Sequence, residues 1–427
     1  MINFKDYHKL YLEFFDEVEG AVKHIDHLEE NIINKGKDGV IEALQYIDNA
    51  IEYFVSETDY KISTKFDGAP AIVAGKDPKG KFFVASKSAF AKNPKINYTV
   101  EDIDANHSNS PGLAEKLKLA LQYLPSLNLK GIYQMDYMFD DQIKQTETPN
   151  RIDGVRNTNT FITFKPNTIK YAVTPESPYG REIQTSKIGV AVHIEYQIVG
   201  GILKVKKYTT SPTEFSRSKD VFVFNVLIDK KANPNQRIMK MLLKDVDRKK
   251  SQITSILKSI DFSGIQKYGM ELKTYINTEV RGGKFLDNTS ISTNEFITYI
   301  AGRYQKELNA LKSEAGKARK QAQLQAVIND LKSAKKDIKK VLDITKMVAT
   351  LKNNLVKIFN EMTRNSFLGT YLDQGGGNWK TTAPEGYAVS KTEGGPEITK
   401  FVNRQDFSAA NFATGKPGSQ QLNTSND

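Results

Sequence analysis

The sequence has 427 residues, a net charge of +11, 39% hydrophobic residues and no cysteine. This composition excludes disulfides, thiolate metal sites and cysteine nucleophiles, and it contains no apolar run long enough to cross a membrane. The positive charge favours a polyanionic partner, and the cysteine-free composition fits a cytoplasmic location.

Residues 1–58 are predicted to form an N-terminal helical segment. Apolar side chains recur at helical spacing over residues 11–22 and 41–51, with a turn at 34–39. His24 and His27 lie one helical turn apart among acidic residues, which imitates a metal site. Because no third ligand is evident, a solvated polar helix face is the preferred explanation.

From residue 59 to 215 the hydrophobic period is mainly two, which indicates strands. They are predicted at 72–74, 81–86, 131–139, 160–165, 169–173, 189–196 and 203–208, with one amphipathic helix at 112–124. This order indicates an α+β fold with an antiparallel sheet rather than alternating βαβ units.

Residues 216–365 are predicted to be a basic helical insertion. Residues 301–360 contain 14 Lys or Arg and 5 Asp or Glu. An apolar stripe over residues 324–344 predicts that one helix face packs, whereas the lysine face is either solvated or in contact with phosphates. Strands return within residues 366–412, at 386–390 and 397–402, and residues 413–427 are expected to be disordered.

The segment Lys65-Phe-Asp67-Gly68 is predicted to be a turn between two strands. A lysine whose pKa is lowered by burial or by a cationic neighbour can attack phosphorus or a carbonyl carbon. Asp67 would orient a ribose hydroxyl, and Gly68 would let the backbone approach a ligand. The alternative is an exposed hairpin turn, since Asp-Gly is a common turn dipeptide.

Four further residues continue this pattern on predicted strands. Lys87 follows a strand between two serines, Asp136 lies in an otherwise apolar strand, Glu385 begins a strand, and Lys400 lies in the next one. A carboxylate in an apolar strand must be paired or must bind a ligand. Each residue alone has an ordinary surface explanation, but together they form an ordered series of Lys, Lys, acid, acid, Lys.

This series resembles the covalent nucleotidyltransferase superfamily, which includes ATP-dependent DNA and RNA ligases and mRNA capping enzymes. The resemblance implies an antiparallel, ATP-grasp-like ligase adenylation core, interrupted by the helical insertion. It also implies ATP and Mg²⁺ as ligands and Lys65 as the residue that becomes adenylylated. The segment is similar as well to a K-[FW]-D-G-A-P-A segment in proteins of large tailed phages, for which the location would be the host cytoplasm.

The resemblance further implies roles for individual residues. Asp136 and Glu385 would hold Mg²⁺, while Lys87 and Lys400 would stabilise the α-phosphate and depress the pKa of Lys65. Phe161 or Phe164 is expected either to stack on the base or to belong to the core. The sequence departs from the superfamily's motifs at two of these positions. Asp136 is one methylene shorter than the glutamate of the superfamily, and Val402 stands in place of a lysine, whose role Arg404 would take.

Two hypotheses follow. The first is an ATP-dependent ligase-type enzyme that forms a lysyl-adenylate on Lys65 and acts on RNA or DNA ends. The second is a catalytically degenerate protein of the same fold that binds nucleic acid or serves in phage assembly. Outside the series, His193 and Glu195 are expected to share a strand face and pair, and residues 375–377, all glycine, are predicted to be a flexible turn.

Overall fold

The computed structural model describes residues 27–56, 58–91, 93–199, 202–208, 211–228, 236–282, 291–363, 368–391 and 398–402, together with Lys284 and Leu286. The chain divides into two compact units. Within the described residues, the first unit lies in Ser56–Ala232 and Asn360–Ile398. The second lies in residues 27–55, in Asn233–Phe359 and from Thr399 onward.

The strands of the described residues are numbered in chain order. They are β1 (Tyr60–Lys65), β2 (Ala71–Lys76), β3 (Phe82–Ala85), β4 (Ile96–Asn97), β5 (Ile132–Asp140), β6 (Gln145–Glu147), β7 (Arg151–Ile152), β8 (Val155–Arg156), β9 (Phe161–Phe164), β10 (Lys170–Val173), β11 (Ile188–Val199), β12 (Ile202–Tyr208), β13 (Val221–Val223), β14 (Gly369–Asp373), β15 (Asn378–Thr381), β16 (Gly386–Lys391) and β17 (Ile398–Phe401).

The α-helices are numbered in the same way. They are α1 (Glu30–Lys35), α2 (Lys37–Val55), α3 (Val100–His107), α4 (Pro111–Tyr123), α5 (Pro178–Thr185), α6 (Gln236–Leu257), α7 (Ser263–Gln266), α8 (Gly269–Arg281), α9 (Thr293–Ala310), α10 (Glu314–Ser333) and α11 (Lys335–Thr363).

The first unit contains a sheet in the order β12-β11-β5-β2-β3-β4, with β13 beside β11. Its strands alternate, so that one face packs against α3 and α4 through side chains such as Ile72, Met135 and Leu117. The opposite face carries a second apolar cluster that includes Val73 and Phe83. Both faces of the central strands are therefore largely covered.

A second sheet of the same unit runs in the order β6-β9-β10-β14-β15-β7-β8. It is mostly antiparallel, with one parallel pair between β15 and β7. The predicted glycine turn at 375–377 connects β14 to β15, and all three glycines have positive φ, of 81°, 59° and 73°. These values lie in the left-handed region, where glycine has no steric penalty.

The two ends of the first unit meet in an antiparallel pair between β1 and β16, in which Lys65 lies opposite Gly386. This pairing confirms that the two parts of the strand region join in one sheet. The strands on either side of the Lys65 turn, however, belong to different sheets, because β2 pairs with β3 and β5. The alternative of a simple hairpin is therefore wrong.

The described part of the second unit is mainly helical, as predicted for this region. The expected apolar stripe is largely buried, including Leu331, Ile338 and Ile344. Lys352 in α11 donates to both carboxylate oxygens of Glu29, at 2.9 and 2.8 Å. Both side chains are 1% exposed, and a buried charge needs such a partner.

The α+β class and the mixed, mainly antiparallel pairing are confirmed by these elements. The predicted helix at 112–124 corresponds to α4, and the predicted turn at 34–39 is a short break at Gly36 between α1 and α2. None of the helices in the described ranges has the length and apolar character of a membrane span. The predictions for residues 11–22, His24, Arg404 and 413–427 concern positions outside the described residues.

Candidate functional site

Lys65 and Glu385 lie 320 positions apart in the chain but form an ion pair. Lys65 is the last residue of β1 and lies opposite Gly386 of β16. Glu385 is the residue immediately before Gly386. The Lys65 Nζ donates a hydrogen bond to Glu385 Oε2, and both side chains are partly buried. Strand pairing therefore brings together the lysine and one acid of the predicted series.

The Asp67 carboxylate binds the segment that follows β9 through hydrogen bonds. Asp67 is 4% exposed, and its carboxylate accepts hydrogen bonds from the Asn167 side chain at 2.7 Å and from the backbone N–H groups of Thr168 at 2.7 Å and Ile169 at 2.9 Å. Its own backbone N–H donates to the Tyr171 hydroxyl at 2.7 Å. These contacts fix the turn after Lys65, and the predicted contact of Asp67 with a ribose stays a prediction.

Gly68 lies directly against β5. A Cβ atom at this position would be 2.6 Å from Asp136 Cβ and 2.8 Å from Met138 Sδ, closer than non-bonded carbon atoms approach each other. The next residue, Ala69, donates its backbone N–H to the Tyr137 carbonyl at 3.0 Å. The glycine thus allows the turn to approach the strand that carries Asp136.

His193 contacts Asp136 rather than Glu195. The distance between His193 Nε2 and Asp136 Oδ2 is 3.1 Å, whereas Glu195 pairs with Lys206 at 2.7 Å. The register of β11 against β5 shifts between Val192 and Ile194. A bulge inserts one residue and re-aims its side chain, so the expectation that His193 and Glu195 share a strand face is wrong.

The charges around Lys65 are mainly negative. Burial lowers the pKa of Lys65, but the carboxylates of Glu385, Asp136 and Asp67 together raise this pKa by more, so the net shift is upward. The expectation that clustered cations depress the pKa of Lys65 is therefore wrong. Burial also raises the pKa of the Glu385 carboxyl, although the nearby Lys65 ammonium opposes this shift.

The structure places the other predicted residues on separate elements. Lys87 is exposed in a short 3₁₀ helix, Lys87–Phe90, and makes no ion pair within the described ranges. Lys400 lies in β17 in the second unit. Phe164 is 1% exposed and stacks on Tyr171 at 5.3 Å between ring centroids. A ring enclosed in this way has no free face for a base, which favours the core alternative.

Carboxylate oxygens are the donors that Mg²⁺ prefers, and Asp136 and Glu385 supply them. Across the described part of the chain, no group of three or more His, Asp or Glu side chains is arranged to hold a metal ion. Since Mg²⁺ is often bound by one or two carboxylates together with phosphate oxygens, two protein carboxylates fit such a role. The assignment of Mg²⁺ to these two residues stays a prediction.

A family model matches residues 22–416 of the chain. The chain belongs to this family, which is a family of unknown function, DUF6267. Comparisons with curated proteins and with solved structures give no match.

Proposed function

We propose that the chain is a nucleotidyltransferase of the polynucleotide ligase type, which transfers AMP from ATP to Lys65 and then acts on nucleic-acid ends. One observation carries the proposal: the Lys65 amine contacts Glu385 across the β1–β16 ladder. The order of the motifs along the chain supports the same class of enzyme. We therefore propose that the first unit has the fold of a ligase adenylation core.

The proposed step is an in-line displacement at phosphorus. A bond forms between Lys65 Nζ and the α-phosphorus, the bond from that phosphorus to the bridging oxygen breaks, and pyrophosphate leaves with the electron pair. One ammonium proton passes along the existing hydrogen bond to Glu385 before the attack, and the second proton, which nitrogen loses as the N–P bond forms, leaves on the pyrophosphate. Burial raises the pKa of Glu385, which favours this transfer because a more basic carboxylate is a better proton acceptor.

The carboxylate of Asp136 would hold Mg²⁺, and Glu385, which takes the Lys65 proton on one oxygen, would bind the ion through its other oxygen, as the resemblance implies. Mg²⁺, when bound, supplies positive charge next to the phosphate oxygens. Asp136 is held by His193 on one oxygen and lies against the Gly68 turn, so its position relative to Lys65 is fixed by two separate contacts.

The degenerate alternative is favoured by a different observation. The pKa of Lys65 is raised, so the ammonium form predominates at neutral pH in the absence of ligand. In this reading the Lys65–Glu385 pair is only an ion pair that joins two strands, and the protein binds nucleic acid or serves in assembly without forming an adduct.

The mass of the intact protein after incubation with Mg²⁺ and each nucleoside triphosphate separates the two. The enzyme should gain one nucleoside monophosphate, most readily from ATP, and Lys65→Arg should abolish the gain. Lys61→Arg is the matched control, because Lys61 lies on the same strand opposite Ser390 and should leave the adduct intact. If no triphosphate gives an adduct on the wild-type protein, the proposed chemistry is refuted.

A further inference from the structure

Four exposed lysines lie near the ends of three helices in the second unit. Lys258 directly follows α6, Lys332 is in the last turn of α10, and Lys335 and Lys336 begin α11. We propose that these residues, named here the basic corner, bind the phosphate backbone of nucleic acid. The proposal concerns residues of the second unit, whereas Lys65 belongs to the first, and it does not require that an adduct forms.

Tertiary contacts bring the members of the basic corner together. Lys340 donates to the Ser259 carbonyl at 2.6 Å, so the beginning of α11 lies beside the end of α6, where Lys258 is located. Lys336 is one helical turn before Lys340 and therefore shares its side of α11. Only Ala334 separates α10 from α11, which keeps Lys332 within a few residues of Lys335.

Three carboxylates of this region have lysine partners: Asp330 pairs with Lys267 at 2.5 Å, Asp337 with Lys340 at 3.1 Å, and Asp343 with Lys339 at 2.8 Å. A fourth, Asp261, is exposed and accepts a hydrogen bond from the backbone N–H of Ser263 at 2.9 Å. In contrast, the four lysines of the basic corner make no ion pair within the described ranges. Their positive charge is therefore available to a ligand.

The chemistry of the surroundings favours a phosphate backbone over a membrane. A helix that binds a lipid surface inserts large apolar side chains next to its basic residues. Among the described residues of the second unit, the exposed large apolar side chains are Ile41, Met241, Met270 and Leu311, which lie singly on four different segments of the chain. Lysines alone provide point charges suited to phosphates, and such contacts give affinity without sequence specificity.

The number of lysines sets the expected salt dependence. Each neutralised phosphate contributes about −0.9 to the slope of log affinity against log salt for duplex DNA and about −0.7 for a single strand. Substituting three lysines by glutamine should therefore flatten the slope by roughly 2 to 3 and weaken binding at low salt by about tenfold or more. These side chains make no ion pairs, so the fold should be retained.

The test uses the full chain and a short labelled oligonucleotide, single-stranded and as a duplex, in fluorescence anisotropy over a series of salt concentrations. The variant is Lys332→Gln/Lys335→Gln/Lys336→Gln. The control, Lys76→Gln/Lys130→Gln/Lys219→Gln, removes the same charge from exposed positions of the first unit. The proposal predicts a flatter slope and weaker binding for the first variant and a near-wild-type slope for the control.

Three results would overturn the proposal. They are absent or salt-insensitive binding by the wild-type protein, an equal loss in both variants, and binding to anionic lipid vesicles without binding to nucleic acid. Far-UV circular dichroism checks that both variants are folded. Because the adduct experiment uses no nucleic acid and the anisotropy experiment uses no triphosphate, failure of one proposal is distinguishable from failure of the other.

Discussion

Replacing Asp67 by alanine should destabilise the first unit far more than replacing it by asparagine. The alanine variant removes all three hydrogen bonds that the carboxylate accepts from residues 167–169. The asparagine variant keeps one oxygen, which can still face the backbone N–H groups of Thr168 and Ile169. The Asn167 amide is exposed and can turn over, so that its oxygen accepts from the new amide.

The magnitude follows from the groups that lose a partner. A hydrogen bond to a charged group contributes about 1.5–3 kcal/mol, and an unsatisfied buried donor costs about 1–3 kcal/mol. Asp67→Ala leaves two backbone donors without an acceptor, while the Asn167 amide can turn to water. We therefore expect a loss of about 3–5 kcal/mol in the free energy of unfolding for alanine and about 1 kcal/mol for asparagine.

Urea unfolding followed by tryptophan fluorescence measures this loss directly. Trp379 is the single tryptophan of the chain, is 2% exposed and lies in the same sheet as Tyr171, which contacts Asp67. Asp104→Ala is the control, because its exposed ion pair with Lys118 should contribute at most about 1 kcal/mol. A loss below about 1 kcal/mol for Asp67→Ala, or equal losses for alanine and asparagine, would refute the anchoring role.

Three further predictions concern adduct formation. Gly68→Ala should abolish the adduct, because the new Cβ atom would lie 2.6 Å from Asp136 Cβ. Gly112→Ala is the control and should leave the adduct intact, because a Cβ atom there would have no atom within 4 Å. Similar adduct yields from both variants would contradict the requirement that the Gly68 turn lie directly against β5. His193→Phe should slow the reaction and raise the Mg²⁺ concentration needed for half the maximal rate, and His193→Gln, which keeps a donor, should restore most of both. Equal half-saturation in all three proteins would show that the contact with Asp136 has no positioning role. The initial rate should fall at acidic pH, below the raised pKa of Glu385, because a protonated carboxyl cannot accept the Lys65 proton, and it should be level at higher pH because the proton moves within the pair; a rate that rises tenfold per pH unit through the alkaline range would contradict transfer to Glu385.

Hydrophobic periodicity predicted most elements of the fold because it records which faces are buried. The alternation in residues 131–139 gave β5, and the helical spacing at 112–124 gave α4. The pairing of β1 with β16 followed from the order of motifs, since Lys65 and Glu385 have joint chemistry only when their strands meet. The strands β14 and β15 were not predicted, because they have only five and four residues and are separated by a run of glycines.

Other features of the site depend on contacts that no local pattern records. The partners of Asp67 are about 100 positions away, and they could be identified only after the strands were placed. The bulge at His193 changes which side chains face Asp136 without changing the sequence alternation. Phe164 belongs to a strand that is buried at every position, so periodicity does not distinguish a core ring from one that faces a ligand.

Charge is distributed unevenly over this basic chain, and the distribution bears on the proposed function. The net charge is +11, yet the groups that raise the pKa of Lys65 are the carboxylates Glu385, Asp136 and Asp67. A long polyanion gains little from an acidic cluster of this kind, because like charges repel in a partly buried site. The basic corner of the second unit instead groups four exposed lysines that make no ion pair within the described residues. The proposed chemistry and the proposed binding of nucleic acid are therefore assigned to residues of different units, and each can be removed by substitution without altering the charge of the other.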